Sequence, residues 1–124
     1  MALVTPVRTL IDTDPGCELW TWTLTSADHT GVAIRQPAYA DTCWHVKGDF
    51  GSTGVAAVQG SNTDVEADFG AVTNVSGGSA ITWSAAGAPK QAIERPLFMR
   101  PKLTTVGTLA TLVVTALIRK QPGK

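Results

Sequence analysis

The stretch TLATLVVTALIR, Thr108 to Arg119, decides the reading of this chain. Taken two residues at a time, Ala110, Leu112, Val114, Ala116 and Ile118 form one wholly apolar face. Leu109, Thr111, Val113, Thr115, Leu117 and Arg119 form a mixed one. Successive side chains of a strand point to opposite sides, so this is the pattern of a strand buried on one face. A helix is the rival reading, because leucine and alanine suit either state. The β-branched threonines and valines favour the strand. A strand apolar on one side and half apolar on the other is expected to be central in its sheet or covered by a partner. The apolar run Leu103 to Ile118 is not read as a membrane span. It is shorter than the ~20 residues a helix needs, and it holds Thr104, Thr105, Thr108, Thr111 and Thr115.

Working outward, the rest of the chain carries the same signature. Glu18 to Thr25 sets Trp20, Trp22 and Leu24 on one face and Thr21, Thr23 and Thr25 on the other. Gly31 to Gln36 puts Val32 and Ile34 together. Thr42 to Phe50 alternates Trp44, Val46, Gly48 and Phe50 against Cys43, His45, Lys47 and Asp49. Val55 to Gln59 is a short apolar strand, Glu66 to Thr73 is weaker and part loop, and Ser79 to Ser84 turns Ile81 and Trp83 inward. Gln91 to Glu94 and Leu97 to Leu103 are extended. Pro96 and Pro101 remove ladder donors there and mark an edge strand. Turn residues recur between these runs: Asp14 to Gly16, His29 to Gly31, Gly51 to Gly54, Gly60 to Asn62, Gly77-Gly78, Gly87 to Pro89 and Val106-Gly107. Short strands at such spacing imply one all-β domain over residues 1–124, an antiparallel β-sandwich that is jelly-roll-like, with seven to nine strands. Met1 to Asp12 has too little pattern to place and is read as an N-terminal arm for another chain. Lys120 to Lys124 is read as a frayed tail.

Composition narrows the function. The chain has 124 residues, with ten basic and ten acidic side chains. That balance argues against a nucleic-acid partner, which calls for a basic excess. Charged residues are 16% and hydrophobic ones 44%, which excludes a disordered chain and suits a surface covered by neighbours. Met1 to Asp14 is broken by Pro6, Arg8, Asp12 and Asp14, so it is no secretion signal. A soluble protein made in a cytoplasm, without a membrane partner, is expected. Cys17 and Cys43 match no zinc or redox spacing, and a bridge between them is open at this level.

Candidate chemistry is sparse. Cys43, His45 and Asp49 share a strand face, but residues two apart lie about 7 Å from each other, too far for direct proton transfer. Asp64, Glu66 and Asp68 alternate, as do Asp12 and Asp14, without a calcium-loop spacing. Asp49-Phe50-Gly51 spells a kinase tripeptide with no other kinase element. The glycines from Gly48 to Gly54 lack the lysine of a phosphate loop and are read as a hairpin turn. Asn74-Val75-Ser76 is a glycosylation acceptor only in a secreted chain. Trp20, Trp22, Trp44 and Trp83 fall at alternating positions with aliphatic neighbours, as core or interface residues do; sugar stacking is the alternative use. The expectation is a non-enzymatic protein with no catalytic residue, metal or cofactor.

A cadence remains. It runs through Val46-Lys47-Gly48-Asp49-Phe50-Gly51, Gln59-Gly60-Ser61-Asn62, Ile81-Thr82-Trp83 and Ile93 to Pro101, before the long threonine and valine strand. Across residues 31 to 119 it resembles the small β-rich structural proteins of tailed bacteriophages, particularly capsid decoration (head cement) proteins. In those chains a V-x-G-x-F-G turn, a Q-G-S-N turn and a late R-P strand recur in this order. A related pattern in carbohydrate-binding sandwiches continues with Gly and Trp, where this chain has Thr63 and Asp64. The resemblance implies a virion protein on the capsid exterior, made in the bacterial host cytoplasm, that stabilises the expanded shell by binding its assembled state. Its partners would be the major capsid protein and itself, as a homodimer or homotrimer. The contacts expected are Leu3, Val4, Val7, Arg8 and Leu10 in the arm, and Arg95, Arg100 and Lys102 in the late loop, meeting acidic capsid surface. The alternatives are a tail, neck or fibre-associated module and a carbohydrate-binding module.

Overall fold

The computed structural model describes residues 3–10, 17–36, 40–108 and 111–120. In chain order the strands are β1 (Leu3–Val4), β2 (Val7–Leu10), β3 (Cys17–Thr25), β4 (Thr30–Gly31), β5 (Ile34–Arg35) and β6 (Ala40–Gly48). They continue as β7 (Val55–Ser61), β8 (Gly70–Ala71), β9 (Thr82–Trp83), β10 (Lys90–Gln91), β11 (Phe98–Thr105) and β12 (Thr111–Lys120). The described residues hold no α-helix, only a 3-10 turn at Glu66–Asp68. One sheet has the order β10-β6-β12-β3-β2. The other runs β1-β4-β11-β7-β8, with β5 also on β11 and β9 also on β7. Every pairing is antiparallel except β1 with β4. The chain is all-β, two sheets facing one core.

β12 is central, as its two faces imply. It pairs with β3 from Thr111↔Thr25 to Arg119↔Cys17, and with β6 from Leu112↔Gly48 to Lys120↔Ala40. Leu112, Val114, Ala116 and Ile118 are buried on the inner face. On the flanking strands, Trp22 and Trp44 point the same way and stack across β12, centroids 5.4 Å apart and planes 20° apart. The residue in register with Trp44 there is Ala116, small and fully buried. The indole N–H groups are satisfied: Trp22 donates to the Val32 carbonyl at 3.0 Å, and Trp44 to Thr42 Oγ1 at 3.2 Å. Gly31 lets the second sheet approach this stack. A Cβ there would lie 2.6 Å from Trp22 Cδ1 and 2.8 Å from Pro101 Cδ.

Several expectations need correction. β11 is not an edge strand; it lies between β7 and the β4–β5 pair. Its prolines are tolerated for a local reason. Leu103 N–H donates to the His29 carbonyl and the Leu97 carbonyl accepts from Gln36, so odd residues turn their backbone polar groups toward β4 and β5. Pro101 shares that parity. Its missing donor faces the interruption at Val32–Ala33, which divides into β4 and β5 the single strand expected from Gly31 to Gln36. Glu66 to Thr73 is part loop as expected, with a 3-10 turn at Glu66–Asp68, Gly70–Ala71 paired to β7 and Thr73 bridged to Ala80. The Gly48 to Gly54 segment is not a hairpin. It carries the chain from one sheet to the other, with Asp49 Oδ1 accepting from Gly51 N–H at 2.9 Å and Phe50 buried. Residues 3–10, too weakly patterned to place from sequence, are strand-paired within the chain. β1 joins one sheet edge and β2 the other, so the segment straddles one side of the sandwich. Asp12 and Asp14, and the tail beyond Lys120, lie outside the described residues. Cys17 and Cys43 sit on strands either side of β12 and two residues out of register, about 12 Å apart, which excludes a disulfide between them.

Candidate functional site

The expected contact residues fall into two groups, and the structure treats them differently. Leu3, on the edge of one sheet, and Val7 and Leu10, on the edge of the other, are 53%, 66% and 59% exposed. Val4 turns inward against the core, and its carbonyl accepts from Val32 N–H at 2.8 Å. Arg8 is tied to Glu18 by an ion pair, and its guanidinium carbon lies 6.0 Å from the Trp20 ring centroid. The Glu18 carboxylate raises the Arg8 pKa, by hydrogen bond first and by charge second. β2 has β3 on one side and no described strand on the other, so its outer backbone groups form a sheet edge.

The late cationic loop does not form the basic surface expected of it. Arg100 is only 4% exposed. Its Nε and Nη2 donate to Gln59 Oε1 at 3.0 and 2.9 Å, its Nη1 donates to Glu66 Oε2 at 2.5 Å, and it lies 4.0 Å from the Phe69 ring centroid. The segment from Thr63 to Phe69 thus folds over this face and clasps the arginine. Arg100 is a structural anchor, and its assignment as a docking cation is corrected. Arg95 pairs with Asp41 at 2.5 Å, on the other sheet. Lys102 reaches Glu66 at 3.6 Å and is the partly exposed member of the three on β11's side. The structure also joins the two groups at one point. Leu3 is in register with Thr30, and Thr30 with Lys102, so a single row about 10 Å long leads from the apolar edge to that lysine.

The motif residues serve the fold. Gln59 accepts from Arg100, Ser61 Oγ accepts from Thr63 N–H at 3.0 Å, and Asn62 Oδ1 accepts from Leu97 N–H at 3.2 Å, pinning the start of β11. An open depression of about 490 Å³ lies beside them, lined by residues including Asn62, Asp68, Glu94 and Arg95. Its carboxylates have internal donors: Thr63 Oγ1 to Asp68 at 2.5 Å, and Thr73 N–H to Glu94 at 2.6 Å. The Thr73 contacts hold Glu94 below the usual carboxylate range, and the Arg100 hydrogen bond does the same for Glu66. No cluster of three or more His, Cys, Asp or Glu placed to hold a metal occurs among the described residues. Trp22, Trp44 and Trp83 are buried, so they do not present faces to a sugar.

Sequence reasoning missed one surface. The outer face of the β10-β6-β12-β3-β2 sheet aligns Leu117 with Cys43 and Leu19, and Val113 with Lys47 and Thr23. The mixed face of β12 was its only signal. No described helix is long and apolar enough to cross a membrane. Comparison of the chain with protein-family models, with curated proteins and with solved structures finds no match.

Proposed function

We propose that this chain is a non-enzymatic structural protein of a tailed-phage virion, binding the outside of the capsid shell and stabilising its assembled form. The observation that carries the reading is the N-terminal edge. Leu3, Val7 and Leu10 are each more than half exposed within one eight-residue segment. Apolar side chains exposed at two sheet edges on one side of the sandwich are the kind of surface a partner covers. Lys102, at the end of the Leu3 row, is the cation of the late loop best placed to meet acidic shell surface beside it.

The jelly-roll wiring belongs to the same proposal. From β3 onward, with β4–β5 and β7–β9 each taken as one stretch, the chain alternates between the sheets. The orders β3-β12-β6-β10 and β4/β5-β11-β7-β8 are those of two interlocked Greek keys, an architecture common in viral capsid domains. The V-x-G-x-F-G, Q-G-S-N and R-P elements support it as cross-sheet turn, loop clamp and anchor strand.

The test is abundance in purified particles of the phage that encodes the chain, read by gel against the major capsid subunit. Near-stoichiometric copies are expected. Replacing Val7 and Leu10 by glutamate is expected to leave the fold intact and remove the chain from the particles. A few copies per particle would assign it to tail or neck, and complete absence would overturn the virion reading.

A further inference from the structure

One carboxylate on the outer face of the β11 sheet serves two cations that differ in burial. Arg100 and Lys102 are two residues apart on β11, so their side chains leave the sheet on the same side. Glu66 reaches both from the 3-10 turn that folds over this face. Its Oε2 accepts from Arg100 Nη1, and its Oε1 lies 3.6 Å from Lys102 Nζ. The Arg100 side chain is 5% exposed, that of Lys102 29% and that of Glu66 67%.

The two contacts are unequal. Arg100 is fixed by Gln59 Oε1 and covered by the Phe69 ring, so it holds Glu66 in one place. Taking the counter-charge from a buried guanidinium is strongly destabilising. Lys102 is partly exposed and stands beyond hydrogen-bond distance from Glu66, which makes theirs a weak surface pair. Among the described residues Lys102 has no second acidic partner. It can leave Glu66 without stranding a charge, because Glu66 stays on Arg100. Arg100, enclosed beneath the turn, has no such freedom.

We propose that Glu66 is an internal competitor for Lys102. In the free chain it parks the ammonium beside Arg100, and a carboxylate of the partner takes the lysine over as the surfaces meet. This rests on the shell-binding reading, in which Lys102 is the docking cation. Only a carboxylate that meets Lys102 at closer range, or with less water around it, gains by the exchange, so Glu66 sets a threshold against weaker acidic surfaces.

Two double-variant cycles test this, one on the free chain and one on shells of the encoding phage prepared without it. In urea unfolding of the free chain, Glu66→Gln and Lys102→Gln should be coupled by about two- to fivefold in the unfolding constant, as an exposed ion pair is. The effect of Glu66→Gln on the Arg100 anchor cancels in the cycle. On shells, Lys102→Gln should weaken binding and Glu66→Gln should tighten it about two- to fivefold. Asp64→Asn removes an equal charge from an exposed position two residues away and should tighten binding less. In a Lys102→Gln chain, Glu66→Gln should do no more than Asp64→Asn. Tightening beyond that would belong to a released Arg100 and overturns the proposal. A free chain without the coupling overturns it too. If the unaltered chain does not bind shells, the shell reading falls and the competition with it. If it binds, but Glu66→Gln binds no better than Asp64→Asn, the competition alone falls.

Discussion

Replacing Gly31 by alanine tests the packing of the two sheets at its tightest point. The glycine does not occupy the left-handed region, so its backbone accepts alanine. Alone, that change would favour folding by about 0.4–1 kcal/mol through the unfolded chain. Packing reverses the sign. The new methyl would sit 2.6 and 2.7 Å from Trp22 Cδ1 and Nε1, and 2.8 Å from Pro101 Cδ. Neither neighbour is free to yield. Trp22 is fully buried, bonded to the Val32 carbonyl and stacked on Trp44, while Pro101 is locked in a central strand. Overpacking of this kind costs about 1–3 kcal/mol. A lost indole hydrogen bond adds about 1 kcal/mol, and a disturbed aromatic pair about 0.5–1.5 kcal/mol. The net expectation is a loss of about 2–5 kcal/mol, measured by urea unfolding with tryptophan fluorescence. The near-ultraviolet circular dichroism of the stacked indoles should change with it. Trp22→Phe removes the pyrrole atoms that the methyl meets, so Gly31→Ala should cost about 1–3 kcal/mol less in that background. A loss below about 1 kcal/mol with an unchanged near-ultraviolet spectrum would refute the argument.

The Arg100 anchor predicts an asymmetric cycle. Glu66→Gln leaves a buried guanidinium without its counter-charge and should cost about 1–3 kcal/mol, reduced from a fully buried pair because Glu66 is exposed. In an Arg100→Met background the same change should cost almost nothing, and equal costs in both backgrounds would remove the anchor's role. Glu66 and Glu94 both have carboxyls lowered from the ordinary 4.5. Their contribution is therefore complete above that value and is lost as pH falls through the lowered folded values. The melting temperature should hold from pH 7 to about 5 and drop below about 4.5, with a shallower drop in the Glu66→Gln/Glu94→Gln chain. Burial pushes the Cys43 thiol above 9.0, against the opposing charge of Arg119. Alkylation of Cys43 in a Cys17→Ser chain should still be accelerating past pH 9, and a plateau near neutrality would contradict its placement.

Alternation made much of this fold legible. β3, β6 and β12 are long, and their inward positions Trp22, Leu24, Trp44, Val46, Leu112 and Val114 are buried as period two requires. The errors occur where a local signal depends on a distant partner. Pro101 reads as an edge because the sequence does not reveal the gap at Val32–Ala33 opposite it. Residues 3–10 read as patternless because edge strands lack a buried face to enforce alternation. Arg100 reads as a surface cation because Gln59, Glu66 and Phe69 reach it only after the Thr63 to Phe69 segment folds back. The exposed apolar edge was visible in part as Leu3, Val7 and Leu10. The face around Leu117 was not, since it needs the registers of β3 and β6 on either side of β12.

The central position of β12 also constrains when this protein can fold during synthesis. β3 and β6 have no pairing with each other; β12 is what joins the β2–β3 pair to the β6–β10 pair. Some sixty residues separate the end of β6 from the start of β12, so at ordinary translation rates the two strands wait roughly 3–12 s for their common neighbour. During that interval Trp22 and Trp44 have neither their stack nor the inner face of β12. A nascent chain arrested before Thr111 would hold that sheet as two separate two-stranded pairs rather than lacking only its last strand. It should bind a holdase chaperone that the released protein ignores.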